Sequence, residues 1–357
     1  MRFIGPGNFF ADSTMKKIPR AKRLSTNTIR LPRHRRRLLI LGTGKLATEL
    51  AHVLVTKRKH AYKVIGFLDR DPGRVGESLV NPGIIGAYDQ LFEIVERDRI
   101  DTIAVCLEDR RGEMPVETLL DFKTLGLQVV DGHALYEQET GRMSIDLVKP
   151  SALIFSTGFR RRLVLRGLKR VIDCLVSLMG LFLLGPFLAI VALIVKLGSP
   201  GPVFYKQTRI GRMGVPFSLW KVRSMHLGAE ENGVQWAVQD DPRTTRIGRW
   251  LRRWRIDELP QLINVIKGEM SLVGPRPERP AFVNDLRGRI PYYDVRHTVR
   301  PGITGWAQIR FRYGASVEDA HIKLQYDLYY IKNLSLALDC RILLRTIQVV
   351  LLGAGAR

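Results

Sequence analysis

The chain has 357 residues, 45% of them hydrophobic, and sets 57 Lys and Arg against 34 Asp and Glu, a formal charge of +23. That length exceeds the usual size of one domain, and that apolar share excludes wholesale disorder. The charge calls for an acidic partner (nucleic acid, an anionic membrane or phosphorylated substrates) without choosing among them. Cys106, Cys174 and Cys340 are scattered, form no metal spacing and fit a reducing compartment.

The segment 1–36 is dense in Lys and Arg and lacks the apolar run of a signal peptide. It reads as a solvated leader, with contact to a membrane surface as the other reading. Over 37–150 strands and helices alternate: Leu38–Leu41, Val64–Leu68, Thr102–Leu107 and Leu127–Val130 are strand-like. That order predicts a Rossmann-like parallel sheet. Gly42-Thr43-Gly44-Lys45-Leu46-Ala47 follows the first strand and opens a helix. Its amides suit a pyrophosphate, with Asp69 near a ribose; the same glycines also suit a tight crossover that binds nothing. Both readings of Gly42, Gly44 and Asp69 stand on the sequence.

Residues 151–168 form a linker containing Arg160, Arg161, Arg162 and Arg166. Cys174–Val195 is free of charge and, at about 1.5 Å per residue, long enough for a hydrocarbon core of about 30 Å. Pro186 in its middle removes a backbone donor and predicts a bend. Lys169 and Arg170 before it and Lys196, Lys206, Arg209 and Arg212 after it draw both ends to the same, cytoplasmic side. A broken helix over 171–197 that enters and leaves one face satisfies both ends. A kinked spanning helix and a buried core helix are the alternatives.

Phe217–Met225 alternates like a strand and puts Lys221 and Arg223 on one face, suited to a diphosphate. Ile247, Trp250, Leu251 and Trp254 recur at helical spacing with Arg249, Arg252 and Arg253 between them, an amphipathic helix for the headgroup layer. Nucleic acid would use similar residues, but no binding motif accompanies them. Asp257 and Glu258 precede Leu259-Pro260-Gln261-Leu262-Ile263-Asn264, a helix for which Asp257 is a candidate N-cap. Asp257 is equally a candidate nucleophile, and the surrounding cations predict that both carboxylates are ionised. Gly274-Pro275-Arg276-Pro277-Glu278-Arg279-Pro280 is a rigid turn that offers Arg276 and Arg279 to phosphate. The loop Arg300–Gln308 adds a basic residue and a stackable Trp306.

In order and spacing, the run from Asp257 through Gly268-Glu269-Met270-Ser271-Leu272-Val273 to Pro277 resembles the monotopic phosphoglycosyl transferases. These bacterial sugar transferases load a sugar phosphate onto a polyprenyl phosphate, and the resemblance extends from Lys169 to the C-terminus. It implies that 169–357 is a small α/β catalytic domain on a Pro-broken re-entrant helix, fed by a UDP-sugar and undecaprenyl phosphate. Asp257 is then the nucleophile that expels UMP, and Glu258 assists through Mg²⁺ or proton transfer. The same pair would hold the Mg²⁺, and Lys221, Arg252 and Arg276 would neutralise phosphate charge. Asp339 also matches a family position, with no role assigned.

Tyr313–Ala320 and Lys323–Tyr330 look like the exopolysaccharide branch, and the apolar Arg341–Leu352 is expected near the membrane. Family members with a Rossmann-like domain usually carry several transmembrane helices ahead of it. The expectation here is none, which leaves self-association and coupling to export open. The implied location is the cytoplasmic membrane, with both domains in the cytoplasm and membrane lipid, not nucleic acid, as partner. A membrane-anchored nucleotide-sensing module without transferase activity is the competing reading.

Overall fold

The computed structural model describes residues 35–57, 62–107, 114–146, 158–159, 163–229, 241–311 and 316–351. The leader to His34, the linker arginines Arg160 to Arg162 and the Tyr313–Ala315 run lie outside the described residues. The chain divides into two compact units, 1–130 and 131–357.

In the first unit, continuous apolar runs form strands covered on both faces, as a parallel sheet requires. Strands β1 (Arg36–Leu41), β2 (Tyr62–Asp69), β3 (Ile84–Ala87), β4 (Thr102–Val105) and β5 (Gln128–Asp131) form one sheet in the order β3-β2-β1-β4-β5. β1 runs parallel to β2 and β4, and β2 parallel to β3. Helices α1 (Lys45–Lys57), α2 (Leu91–Arg97) and α3 (Val116–Thr124) alternate with the strands, so the Rossmann-like winding holds. β3 lies beyond the four strands expected from sequence. Gly42 sits at φ 110°, and a Cβ there would lie 2.8 Å from the Cys106 carbonyl oxygen. The exits of β1 and β4 therefore approach too closely for a side chain.

The second unit opens with α4 (Gly132–Thr140), capped by the Asp131 carboxylate accepting from the Ala134 amide at 3.1 Å. Next described is α5 (Leu163–Gly198), one 36-residue helix with Pro186 inside it. It starts before the expected 171 and takes in Leu163–Leu168 of the expected linker. Among the described residues it is the one helix long and apolar enough to cross a membrane. The antiparallel hairpin β6 (Phe204–Ile210) and β7 (Pro216–Val222) follows, then α6 (Arg246–Arg253), α7 (Gln261–Lys267), β8 (Ser271–Val273) and α8 (Pro280–Arg289). β9 (Gly302–Thr304) pairs in parallel with β8, and α9 (Trp306–Arg310), α10 (Val317–Lys332) and α11 (Leu336–Leu351) complete the unit.

Its core gathers Leu219, Leu262, Val265, Val273, Tyr330 and Ile342 from five of these elements. Trp306 belongs to the same core, stacked on Tyr329 at 5.8 Å with its indole donating to the Gly141 carbonyl at 2.7 Å. This corrects the expectation of a stackable loop tryptophan: an indole this large, with a buried acceptor in reach, contributes more inside.

The β8–β9 pair is a close backbone contact. A Cβ on Gly302 would lie 2.1 Å from the Gly274 amide nitrogen, and one on Gly274 would lie 2.4 Å from the Arg300 carbonyl oxygen. The strands meet through Gly274 N–H to Thr304 and Gly302 N–H to Pro275, both 2.9 Å. Gly302→Ala is expected to force the strands apart at a cost of about 1–3 kcal/mol. Thermal unfolding of the intact protein checks it, and an unchanged midpoint would refute the contact.

Candidate active site

Helix α6 begins at Thr245, whose hydroxyl accepts from the Gly248 amide at 2.8 Å. Its buried Leu251 joins Ile256, Val222 of β7, and Val191 and Val195 of α5 in a small apolar cluster. Trp250 and Trp254 face outward. After α6 the chain reverses at Arg255, in left-handed backbone at φ 53°, and enters a 3-10 turn over Ile256–Glu258. A non-glycine residue in that region is strained, and such strain collects where a site fixes its geometry. The turn sets both carboxylates inward: Asp257 is 6% exposed and Glu258 7%.

Asp257 is not an N-cap. Pro260 holds the position before α7, and its fixed φ starts that helix unaided, which corrects the sequence expectation. The two carboxylates also divide sharply. Glu258 accepts from Arg276 at 2.7 Å and from Arg255 at 3.4 Å. Burial pushes its pKa up, but Arg276, Arg255 and Lys221 outweigh that and hold it well below the ordinary value. Among the described residues the Asp257 carboxylate accepts no hydrogen bond. Burial, then the Glu258 charge, raise it to about 6 against the pull of Lys221, Arg252 and Arg276. Both carboxylates are ionised at neutral pH, as expected, but the cations prevail over burial only at Glu258, because burial disfavours whichever charge lacks donors.

The cations are held by other partners. Lys221 stands on β7, whose edge is pinned by Asn264: its amide oxygen accepts from Trp220 N–H at 3.1 Å, and its nitrogen donates to the Ser218 carbonyl at 2.7 Å. Burial lowers Lys221 to about 8, partly countered by Glu258 and Asp257. Arg252 donates to the hydroxyls of Ser224 at 2.9 Å and Thr244 at 3.2 Å. The Arg276 carbonyl accepts from Arg296 at 2.9 Å, while Arg209 donates to the Pro277 carbonyl at 3.1 Å, so the Pro-Arg-Pro turn is gripped from two sides. Arg296 is itself paired with buried Asp327 at 2.9 Å.

The structure thus brings together Asp257, Glu258, Lys221, Arg252 and Arg276. Arg223 lies past the end of β7 and is turned away, donating to the Pro200 carbonyl at 2.5 Å and to the Ser199 carbonyl and hydroxyl at 2.8 Å. Arg279 immediately precedes α8. Gly42, Gly44 and Asp69 belong to the first unit, where Asp69 accepts from the Thr43 hydroxyl, from Arg74 at 2.6 Å and from the Asp71 amide at 2.9 Å. Asp339 accepts from Lys169 at 2.7 Å and from the Tyr330 hydroxyl at 2.8 Å, fastening α5 to the body of the unit. Sequence reasoning missed Arg255, Asn264 and Arg296. Asn264 stands inside the quoted motif, whereas Arg296 carries no local signal.

Among the described residues no three His, Cys, Asp or Glu side chains group as a protein-only metal site. One open carboxylate beside an ion-paired one suits an ion shared with substrate phosphates, as Mg²⁺ commonly is.

A carboxyl raised in the folded state favours folding only when protonated. Its contribution is complete below about pH 4 and lost as pH rises through about 6. Without divalent cations, Asp257→Asn is therefore expected to unfold at a higher temperature than wild type at pH 7.5. The gain is at most about 3 kcal/mol and closes toward pH 4. Coincident midpoints at pH 7.5 would show that burying this charge costs nothing.

A family profile described as "Bacterial sugar transferase" matches residues 164–353. The chain is 47% identical over 190 residues to the UDP-N-acetylgalactosamine-undecaprenyl-phosphate N-acetylgalactosaminephosphotransferase of Aeromonas hydrophila, covering 53% of this chain and 45% of that protein. It is 35% identical over 328 residues to the undecaprenyl-phosphate glucose phosphotransferase of Komagataeibacter xylinus, covering 88% of this chain and 58% of that one. The exopolysaccharide production protein PSS of Rhizobium leguminosarum bv. phaseoli is 44% identical over 186 residues, 50% of this chain and 93% of that protein. The chain thus spans about half the length of the first two relatives, and the matched region contains the Asp257 cluster in full. On that match, the chain belongs to the bacterial sugar transferase family.

Proposed function

We propose that the chain transfers a sugar 1-phosphate from a UDP-sugar to undecaprenyl phosphate, releasing UMP through a phosphosugar ester on Asp257, as the opening step of exopolysaccharide assembly. The observation that carries this reading is one carboxylate, buried and without hydrogen bonds among the described residues, faced by Lys221, Arg252 and Arg276. A carboxylate relieved of donors keeps its lone pairs for attack, while the cations neutralise the diphosphate it must approach.

In the first half-reaction an Asp257 oxygen bonds to the sugar-bearing phosphorus. The bond from that phosphorus to the bridging oxygen breaks, and UMP departs with the electron pair. In the second, an oxygen of undecaprenyl phosphate bonds to the same phosphorus and the Asp257 carboxylate is released. No net oxidation, reduction or water consumption occurs. Lys221, Arg252 and Arg276 spread the phosphoryl charge, and Glu258 keeps Arg276 aimed at the site. Mg²⁺ would supply further charge neutralisation, held by Asp257, Glu258 and the substrate phosphates. The relatives' names divide between glucose and N-acetylgalactosamine, so they support the carrier lipid more narrowly than the sugar.

The re-entrant reading of α5 is supported by where its ends pack. Asp173 accepts from the Ser271 hydroxyl at 2.7 Å near one end, and Val191 and Val195 pack with Val222 and Leu251 near the other. Both ends lie on one body, whereas a straight spanning helix would carry one end away from it. Between them Phe182 is 82% exposed and Ile190 58%. The basic flanks favour the cytoplasmic side, where nucleotide sugars are available.

Incubated with donor alone, wild type is expected to gain one sugar-phosphate mass on the peptide containing Asp257 and release one UMP. Asp257→Asn is expected to lose UMP release by at least about 10³-fold. Lipid product without that adduct would overturn the covalent route. For topology, Leu165→Cys and Pro200→Cys in a cysteine-free background are expected to label from the cytoplasmic side only. Labelling from opposite sides would refute re-entry.

A further inference from the structure

We infer that the cleft at the N-terminal foot of α5 is a second anion site, separate from the Asp257 centre, that takes the phosphate of a membrane lipid. The cleft is open to solvent, about 440 Å³ counting the solvent at its mouth, and its lining includes Arg166, Lys169, Arg170, Arg212 and Arg300, with Asp173 as the one carboxylate. Two of the guanidiniums are fixed by carbonyls rather than by a carboxylate in direct contact. Arg170 donates to the Val265 and Ile266 carbonyls and Arg300 to the Gly268 carbonyl at 2.9 Å, all around the C-terminal turn of α7. Carbonyls orient a guanidinium but leave its charge in place. Lys169 pairs with Asp339 at 2.7 Å and more loosely with Asp173 at 4.0 Å, and Asp173 also accepts from the Ser271 hydroxyl. Arg212 is exposed and, among the described residues, makes no side-chain hydrogen bond or ion pair.

These cations repel one another. Burial, then Arg170 and Arg212, pull Arg300 below its ordinary value, with Asp173 countering them in part. Holding them together costs free energy that a shared anion would return. The charges acting most strongly on Asp257 are Glu258, Lys221, Arg252 and Arg276, none of which lines the cleft. The two sites therefore occupy distinct electrostatic neighbourhoods.

Position identifies the ligand class. Leu168, Val171, Ile172 and Leu175 are exposed on the turns of α5 that carry Lys169, Arg170 and Asp173. An apolar surface starting beside a cationic cleft puts the cleft at headgroup depth, where the available anions are lipid phosphates. A phospholipid diester and the monoester of a polyprenyl phosphate share this chemistry. The inference rests on the membrane reading of α5 and not on the transfer reaction.

The test uses the full chain in neutral maltoside micelles, titrated calorimetrically with dihexanoylphosphatidylglycerol, with a short polyprenyl phosphate, and with inorganic phosphate. Wild type is expected to bind one lipid phosphate saturably. Arg212→Gln should weaken this about fivefold or more, and Lys123→Gln, an equal charge loss at an exposed position in the first unit, should not. An Arg212-dependent response to the polyprenyl monoester alone would sustain the site and assign its lipid. Equal affinities for wild type and Arg212→Gln, an equal loss in Lys123→Gln, or inorganic phosphate binding as tightly as either lipid would overturn it. Asp257→Asn should bind lipid as wild type does, so failure of this site and failure of the transfer chemistry are read separately.

Discussion

Two carboxylates buried side by side cannot share one environment, because each makes the other's charge more costly. Here the asymmetry is resolved by arginine. Glu258 receives Arg276 and Arg255 and stays ionised, while Asp257 is left with a charge satisfied only through space. That arrangement is poor for stability and suits the proposed nucleophile. A donor aimed at Asp257 would stabilise it and occupy the lone pair that the proposed attack requires. The neighbouring cations are accordingly committed elsewhere: Arg252 to Ser224 and Thr244, Arg276 to Glu258, and the Lys221 strand to Asn264.

Holding such a cluster calls for a stiff frame, and the frame is built from backbone contacts too close for side chains. Gly274 and Gly302 let β8 and β9 meet at the root of the Pro-Arg-Pro turn, and Arg296 takes that turn's carbonyl from the other side. Arg296 can do this because Asp327 neutralises it within the fold. Removing either member of that pair would leave a buried charge uncompensated, a loss of about 3–5 kcal/mol in comparable cases. The charge pair and the glycines thus act on one object, the position of the Arg276 guanidinium.

Much of this was legible in the sequence, and the failures have physical reasons. Leu38–Leu41 and Thr102–Val105 read as buried strands because an unbroken apolar run tolerates few other fates, and the Rossmann-like winding followed. Asp257, Glu258, Lys221, Arg252 and Arg276 could be chosen from motif order. Arg223 could not be separated from Lys221, because alternation predicts a face only while the strand lasts, and β7 ends at Val222. Trp306 looked like a loop residue until Gly141, far away in the chain, supplied its acceptor. Arg296 was invisible for the same reason: its partners, Arg276 and Asp327, are distant in sequence and meet only in the fold.

The basic residues flanking α5 make the same point about the membrane. Read as sequence they are a topology signal, but the structure also uses several as fasteners. Lys169 holds Asp339, Arg170 holds the end of α7, and Arg223 reaches back to the carbonyls of Ser199 and Pro200 just beyond the helix. Polar ties of this kind cluster at the two ends of α5, while Phe182, Leu183 and Ile190 between them present apolar surface outward. On the re-entrant route proposed above, a helix tied at both ends to one body would bury its exposed apolar middle in a bilayer by dipping in and returning. Pro186 lies inside the one continuous helix and removes a backbone donor from its ladder, the place where the proposed bend would fall.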